Sequence, residues 1–298
     1  MSVNIPTHFV QQYSTNINLL LQQKGSKLRN AVTTGSHVGK QASPVDQIGA
    51  IDMQAVTGRF AAMGRVDAPM DRRWVFPSDF DLPQLIDSFD KLRLITDPTS
   101  SYVTNAVFAA GRQFDKLLCD AFVGTAKTGE TGGTSTIFTA ANEVDVAVGG
   151  AASALNVAKI KAVKQKMMAN HIDFDTEEAY IGITAVDHAS LLNDVQVISS
   201  DFKNGEAPVL LSGKIVEFLG FKMIHCEQIE TSLAGTNEVT LPVWVKSGMH
   251  LGLWNDIQNS VSRRHDLQSE PWQLYTIMTA GATRTEENKV YAIESYRA

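Results

Sequence analysis

Cysteine is almost missing from the 298-residue chain: Cys119 and Cys226 are the only two. Two thiols cannot supply a disulfide framework, and such usage fits synthesis in a reducing compartment, the cytoplasm. No uninterrupted apolar run approaches about 18 residues, and the N-terminus has no basic stretch followed by an apolar one, so neither a membrane span nor a signal peptide is expected. Positive charge is in deficit. Against 32 Asp and Glu stand 26 Lys and Arg, a formal net charge of −6, which argues against a surface built to neutralise many phosphates and grip nucleic acid.

Catalytic and metal motifs are lacking too. The seven histidines include no HExxH, and there is no Cys-x-x-Cys and no GxSxG elbow. Adjacent His225 and Cys226 would point to opposite faces of a strand and could not share a metal. GTAKTGET at 124–131 has the outline of a phosphate-binding loop, yet Glu130 stands where that loop needs lysine. The acidic group Asp173, Asp175, Glu177 and Glu178 lacks the glycine and terminal glutamate of a calcium loop and reads as a polar turn. No catalytic residue, metal ligand or cofactor is therefore expected, and an α+β enzyme built on residues 173–178 has no support from spacing.

What is present is a chain of ordinary globular composition, 44% hydrophobic and 19% charged, long enough for two domains. Its organising stretch runs from Asp97 to Gly124. Asp97 and Pro98 give a helix start, Gly124 in a left-handed conformation gives a stop, and residues 98–123 would span roughly 39 Å. Val103, Ala106, Val107, Ala110, Phe114, Leu117, Leu118 and Ala121 recur at helical spacing, with Asn105, Arg112, Asp115 and Lys116 expected outside that face.

Before this helix, residues 6–24 place Phe9, Tyr13, Ile17, Leu20 and Leu21 on one side of a shorter helix, which must dock on its own domain or on a neighbouring subunit. Residues 25–48 read as an irregular arm. Residues 49–80 gather Arg59, Arg65, Arg72 and Arg73 with Asp67 and Asp71 among glycine and proline breakers, the pattern of an exposed two-stranded excursion. Its arginines are either solvated or paired with carboxylates across subunit contacts. After the long helix, Asn156 is expected to cap a helix whose Lys159, Lys161, Lys164 and Lys166 form a solvated face, AYIGIT at 179–184 reads as a buried strand, and strands dominate beyond Leu211.

Two segments carry a family resemblance. RRWVFPSDFDLPQLIDSFDKLRLITDPTSSYV with the long helix after it, and NVAKIKAVKQKMMANHIDFDTEEAYIGITAVDHASLLND with the GKIVEFLGFKMIHCEQI and GATRTEENKVYAIES strands, stand in the order of the major capsid proteins of tailed double-stranded-DNA bacteriophages. The chain resembles that family over nearly its whole length. The resemblance implies an α+β phage major-capsid fold: N-terminal arm at 1–48, extended loop at 49–80, peripheral domain at 81–150 with a spine helix at 98–123, axial domain at 151–255, and return strands at 256–298. It implies a structural protein that self-assembles through hexamers and pentamers into an icosahedral shell in the virion, around weakly held double-stranded DNA. Portal, scaffolding and cement proteins would be its partners, with no membrane. A nanocompartment shell protein of the same fold is the alternative.

On this reading Phe9, Tyr13, Ile17, Leu20, Arg59, Arg65, Arg72 and Arg73 are the subunit-interface candidates. The chain departs from relatives that weld subunits through a lysine of the extended loop, because no lysine occurs between Lys40 and Lys91.

Overall fold

Thr99–Val123 form one helix of 25 residues, α1, in a computed structural model that describes residues 22–39, 43–56, 58–59, 64–87, 99–148, 150–194, 215–235, 237–268 and 270–297. Asp97 and Pro98 lie outside the described residues, as do Phe9, Tyr13, Ile17 and Leu20. Ala106, Ala110, Phe114, Leu118, Cys119 and Phe122 are buried, whereas Val103, Val107 and Leu117 are half-buried. The inward face is thus rotated from the expected stripe, and it takes in Gly111 and Asp115.

Gly111 is there because the chain passes against it: a Cβ would lie 2.5 Å from the carbonyl carbon of Gly25. Gly124 does not take the expected left-handed conformation; it is absent from the positive-φ glycines. Its N–H donates to Asp120 O at 3.0 Å, and a Cβ would come within 2.4 Å of that same oxygen, so close approach replaces handedness as the reason for glycine.

Fourteen strands occur among the described residues. They are β1 (Thr33–Ser36), β2 (Ser43–Ile48), β3 (Met70–Val75), β4 (Ser78–Ile86), β5 (Ala126–Thr128), β6 (Thr134–Thr136), β7 (Glu143–Val144), β8 (Ala179–Ile183), β9 (Glu217–Phe218), β10 (Phe221–His225), β11 (Glu238–Val245), β12 (Met249–Arg263), β13 (Trp272–Arg284) and β14 (Val290–Tyr296). Helices α2 (Val157–Ala169), α3 (Ala185–Leu192) and α4 (Gln228–Ser232) complete the set. The sheets run β1-β12-β13-β4, β7-β14-β11-β8-β10-β9 and β2-β3-β5-β6.

The six-stranded sheet is the main core. All five residues of β8 are buried, as its unbroken apolar run requires of a central strand; β10 pairs with it in parallel and β11 antiparallel. Asn156 caps α2 as expected, its Oδ1 accepting from Lys159 N at 2.9 Å. Of the lysines expected on a solvated face of α2, Lys161 is exposed, Lys164 and Lys166 are half-buried, and Lys159 alone is turned fully inward. Lys159 is fully buried and donates to Glu294 O at 2.8 Å and Ser153 O at 2.5 Å, Lys164 to Leu219 O, and Lys166 to Ala141 O and Glu143 O. Flexible stems let these ammonium groups reach backbone carbonyls of neighbouring segments. The last strand, expected with the peripheral segments, instead lies in this sheet between β7 and β11.

Two compact units result. One holds Asp79–Arg112 and Asn255–Thr279 with the described residues before Lys27; the other holds Lys27–Ser78, Gln113–Trp254 and Ala280 onward. Within the first, Arg112 Nη1 donates to Gln22 Oε1 at 2.7 Å and Thr279 Oγ1 to Asp79 Oδ1 at 2.8 Å. No helix among the described residues is long and apolar enough to cross a membrane.

Candidate functional site: the extended hairpin and its root

Strands β2 and β3 pair antiparallel from Ser43↔Val75 to Ile48↔Met70, and Gly49 N donates to Pro69 O at 2.7 Å. The excursion expected from residue 49 therefore starts six residues earlier, because SPVDQI is its first strand rather than part of an irregular arm. Beyond the last rung the chain carries apolar side chains into solvent: Ile48, Ile51, Val56 and Met70 are well exposed, and Met53 is completely so. A folded subunit has no local use for such a group of side chains.

The root is built differently. β3 also pairs with β5, Arg73 opposite Thr128 and Trp74 opposite Lys127. Trp74 Nε1–H donates to Gly129 O at 2.7 Å, and Gly132, at φ 75°, lies against the indole where a Cβ would approach to 3.0 Å. Strand alternation sends neighbouring arginines to opposite faces. Arg72 turns outward and pairs with Asp46 on the adjacent strand at 2.5 Å. Arg73 turns inward, is 6% exposed, and donates through Nη1 to Glu287 Oε1 at 3.1 Å. Of the four arginines expected at a neighbour, Arg73 is thus engaged inside its own subunit. Arg59 is exposed, and Arg65 pairs with the nearby Asp67 at 2.7 Å.

Glu287 is shared. Its Oε2 accepts from Arg284 Nε at 3.0 Å. Arg284 is fully buried and donates through Nη1 to Phe122 O at 3.0 Å, to Ala121 O at 3.2 Å and to Gly124 O, so it caps the carbonyl end of α1. Its guanidinium also lies 5.3 Å from the Phe138 ring centroid. Burial pushes this guanidinium below its ordinary value while Glu287 opposes the shift, and arginine stays charged throughout. Asn142 Nδ2 completes the cluster by donating to Glu287 O at 2.7 Å and Val290 O at 3.2 Å.

The N-terminal segment is fastened by a second buried charge. Asp115, expected on the polar side of α1 with Arg112, is fully buried; its carboxylate accepts from Lys27 N at 2.9 Å and from Leu28 N at 3.0 Å. Trp244 Nε1–H donates to Ala31 O at 2.8 Å, and β1 then adds in parallel to β12. At the end of that pairing His37 Nε2 meets His250 Nε2 at 2.9 Å, beside Trp254.

Burial, then the proximity of His37, lowers the pKa of His250 below 6.5. Between that lowered value and the unfolded value the unfolded chain binds a proton that the folded one does not, so stability is complete above the unfolded pKa and falls as pH drops below it. Melting between about pH 7 and about pH 5 should therefore show a smaller loss in His250→Gln than in the parent. An identical pH profile would remove the pair from that role.

The other candidate groups resolve as structure. Asp173 accepts from Asp175 N and Thr176 Oγ1, closing a turn. Glu178 is held at about 2 by hydrogen bonds from Lys222 and Tyr180. His225 is exposed and Cys226 buried, on opposite faces as expected. No group of three metal-ligating side chains occurs among the described residues.

The structure thus sets a hairpin with an apolar tip and an ionic root beside the end of a long helix and a six-stranded sheet. Solved capsids share the overall fold. The chain is similar to the capsid of cyanophage P-SCSP1u, with a TM-score of 0.76 and 12% identity over 100% of this chain and 95% of that one. It is similar to that of cyanophage Pam1, at 0.75 and 10% over 98% and 97%, and to that of Helicobacter pylori bacteriophage KHP30, at 0.72 and 11% over 99% and 99%. Among curated protein sequences none matches significantly. The phage capsid protein family matches residues 5–296, and the chain belongs to that family. It has the α+β major-capsid fold of tailed phages and is a structural protein of the icosahedral bacteriophage capsid; the nanocompartment alternative is not favoured.

Proposed function

We propose that the hairpin tip is the part of this capsid protein that holds the next copy of the chain in hexamers and pentamers. The observation that carries this is the exposure of Ile51, Met53 and Val56 at the end of a hairpin whose root is rigidly tied. Interfaces gain most from apolar side chains withdrawn from water, and one copy's tip meeting another surface of the next is a heterologous contact that closes into rings. Arg59, Arg65 and Arg72 would form the polar rim of that contact, where arginine is favoured, and the segment holding Phe9, Tyr13, Ile17 and Leu20 would be a further tie. Met53→Asp with Val56→Asp should leave a folded subunit and abolish particles. Normal yields of intact particles from that variant would refute the assignment.

In this reading the unit containing Asp79–Arg112 and Asn255–Thr279 is the peripheral domain, the six-stranded sheet belongs to the axial domain, and the protein performs no catalysis. The acidic balance suits an inner wall that holds double-stranded DNA weakly. Synthesis takes place in the host cytoplasm, and portal, scaffolding and cement proteins complete the partners. Fastening is noncovalent. The span between Lys40 and Lys91 offers no lysine amine, and arginine remains protonated and is no nucleophile. Both cysteines are buried in their own subunit. Mature particles boiled in detergent and reductant should run as one band at 32.5 kDa. A ladder of covalent multimers would contradict this.

A further inference from the structure

The most unusual chemistry in the subunit lies where an assembly surface would least need it, inside the hairpin root. Arg73 and Arg284 converge on one carboxylate, Glu287, at 3.1 and 3.0 Å, and the surplus positive charge is met by the carbonyl end of α1 through Phe122 O and Ala121 O. A buried ion network is a poor device for stability alone, since well-packed apolar side chains of similar volume do as well or better. What it adds is direction, because a planar guanidinium accepts partners only along fixed N–H vectors.

We propose that Arg73, Glu287 and Arg284 form a positioning bracket that fixes the angle at which the hairpin leaves the end of the spine helix, and so the direction in which one subunit reaches the next. The second half of this statement rests on the shell reading above. A pivot for such an angle lies close by. Gly281 of β13 admits no side chain, its Cβ position falling 2.1 Å from Phe76 O just after β3. That contact and the short two-rung pairing of β3 with β5 hold the root along one edge. The bracket adds side-chain ties to that edge: Arg73 ties β3, the side chain of Gln47 on β2 donates to Thr285 O, and Asn142 holds the backbone of Glu287. These ties join the short segment 284–287 to β2, to β3 and to Asn142 before β7, and several separate attachments specify an angle where one would not.

The test uses the full chain. Nitroxide labels at Met53→Cys on the tip and Lys116→Cys on the exposed side of α1 report the hairpin's direction in dilute subunits before assembly; Cys119 and Cys226 are buried. The parent should give a single narrow distance peak, and Arg73→Met should lose it while retaining helical circular dichroism. Arg73→Lys, which keeps one charged donor, should recover part of the narrowing, and Arg65→Met, an exposed tip arginine, should leave the peak intact. Glu287→Gln supplies the same comparison if Arg73→Met gives no soluble subunit. On assembly, the broadened variant should form particles of mixed size. A peak as narrow in both root variants as in the parent overturns the bracket whatever their assembly. A broadened peak with uniform parental particles overturns its link to subunit geometry. Because the distances are read before assembly, these outcomes stay distinct from failure of the shell reading itself.

Discussion

Arg284→Met should yield almost no soluble subunit. The side chain is fully buried, and its guanidinium serves Phe122 O, Ala121 O, Gly124 O and Glu287 at once. Methionine fills much of the volume but donates nothing. Removing one member of a buried ionic group costs about 3–5 kcal/mol, since the partner is left without compensation. Each orphaned buried carbonyl adds about 1–3 kcal/mol. Against a total stability of about 5–15 kcal/mol for a whole fold, the sum removes most of the margin. Soluble yield and thermal melting by circular dichroism measure it, and a melting temperature within a few degrees of the parent would show that the end of α1 finds other donors.

The second large effect is expected at Asp115→Ala. Its carboxylate is the acceptor for Lys27 N and Leu28 N, and Leu28 is itself buried. Alanine leaves the buried Leu28 donor unpaired and the part-buried Lys27 donor without its partner, a loss of about 1–3 kcal/mol for the first and less for the second. Asp115→Asn keeps an acceptor oxygen in place and should recover part of it. Hydrogen exchange of the Lys27 and Leu28 amides reads the contact directly. Protection unchanged in Asp115→Ala would rule the anchor out.

These same residues mark where the sequence was and was not legible. The extent of α1, the Asn156 cap, the buried strand at 179–183 and the strand-rich second half follow from local rules, helical spacing, a capping side chain and β-branched runs. Local rules place a charged residue at the surface. Asp115, Lys159, Arg73 and Arg284 break that rule because each answers a backbone or carboxylate group far along the chain; Asp115 and Leu28 are 87 residues apart, Arg73 and Glu287 are 214 apart. No window of the sequence contains both partners. Period-2 alternation does assign Arg72 and Arg73 to opposite faces once β3 is recognised, but it does not say which face is inside. The hairpin's first strand resembles an irregular arm for a similar reason: SPVDQI is short and polar, and only its pairing with MDRRWV identifies it. The glycine that ends α1 marks the right position without revealing its cause, since a close contact and a left-handed turn both select glycine.

The central claim is that many copies of this one chain close into a shell. Electron microscopy of the purified full-length protein under assembly conditions tests it most directly. Closed hollow particles of uniform diameter are the expected result, and a small oligomer that persists under every assembly condition would contradict it.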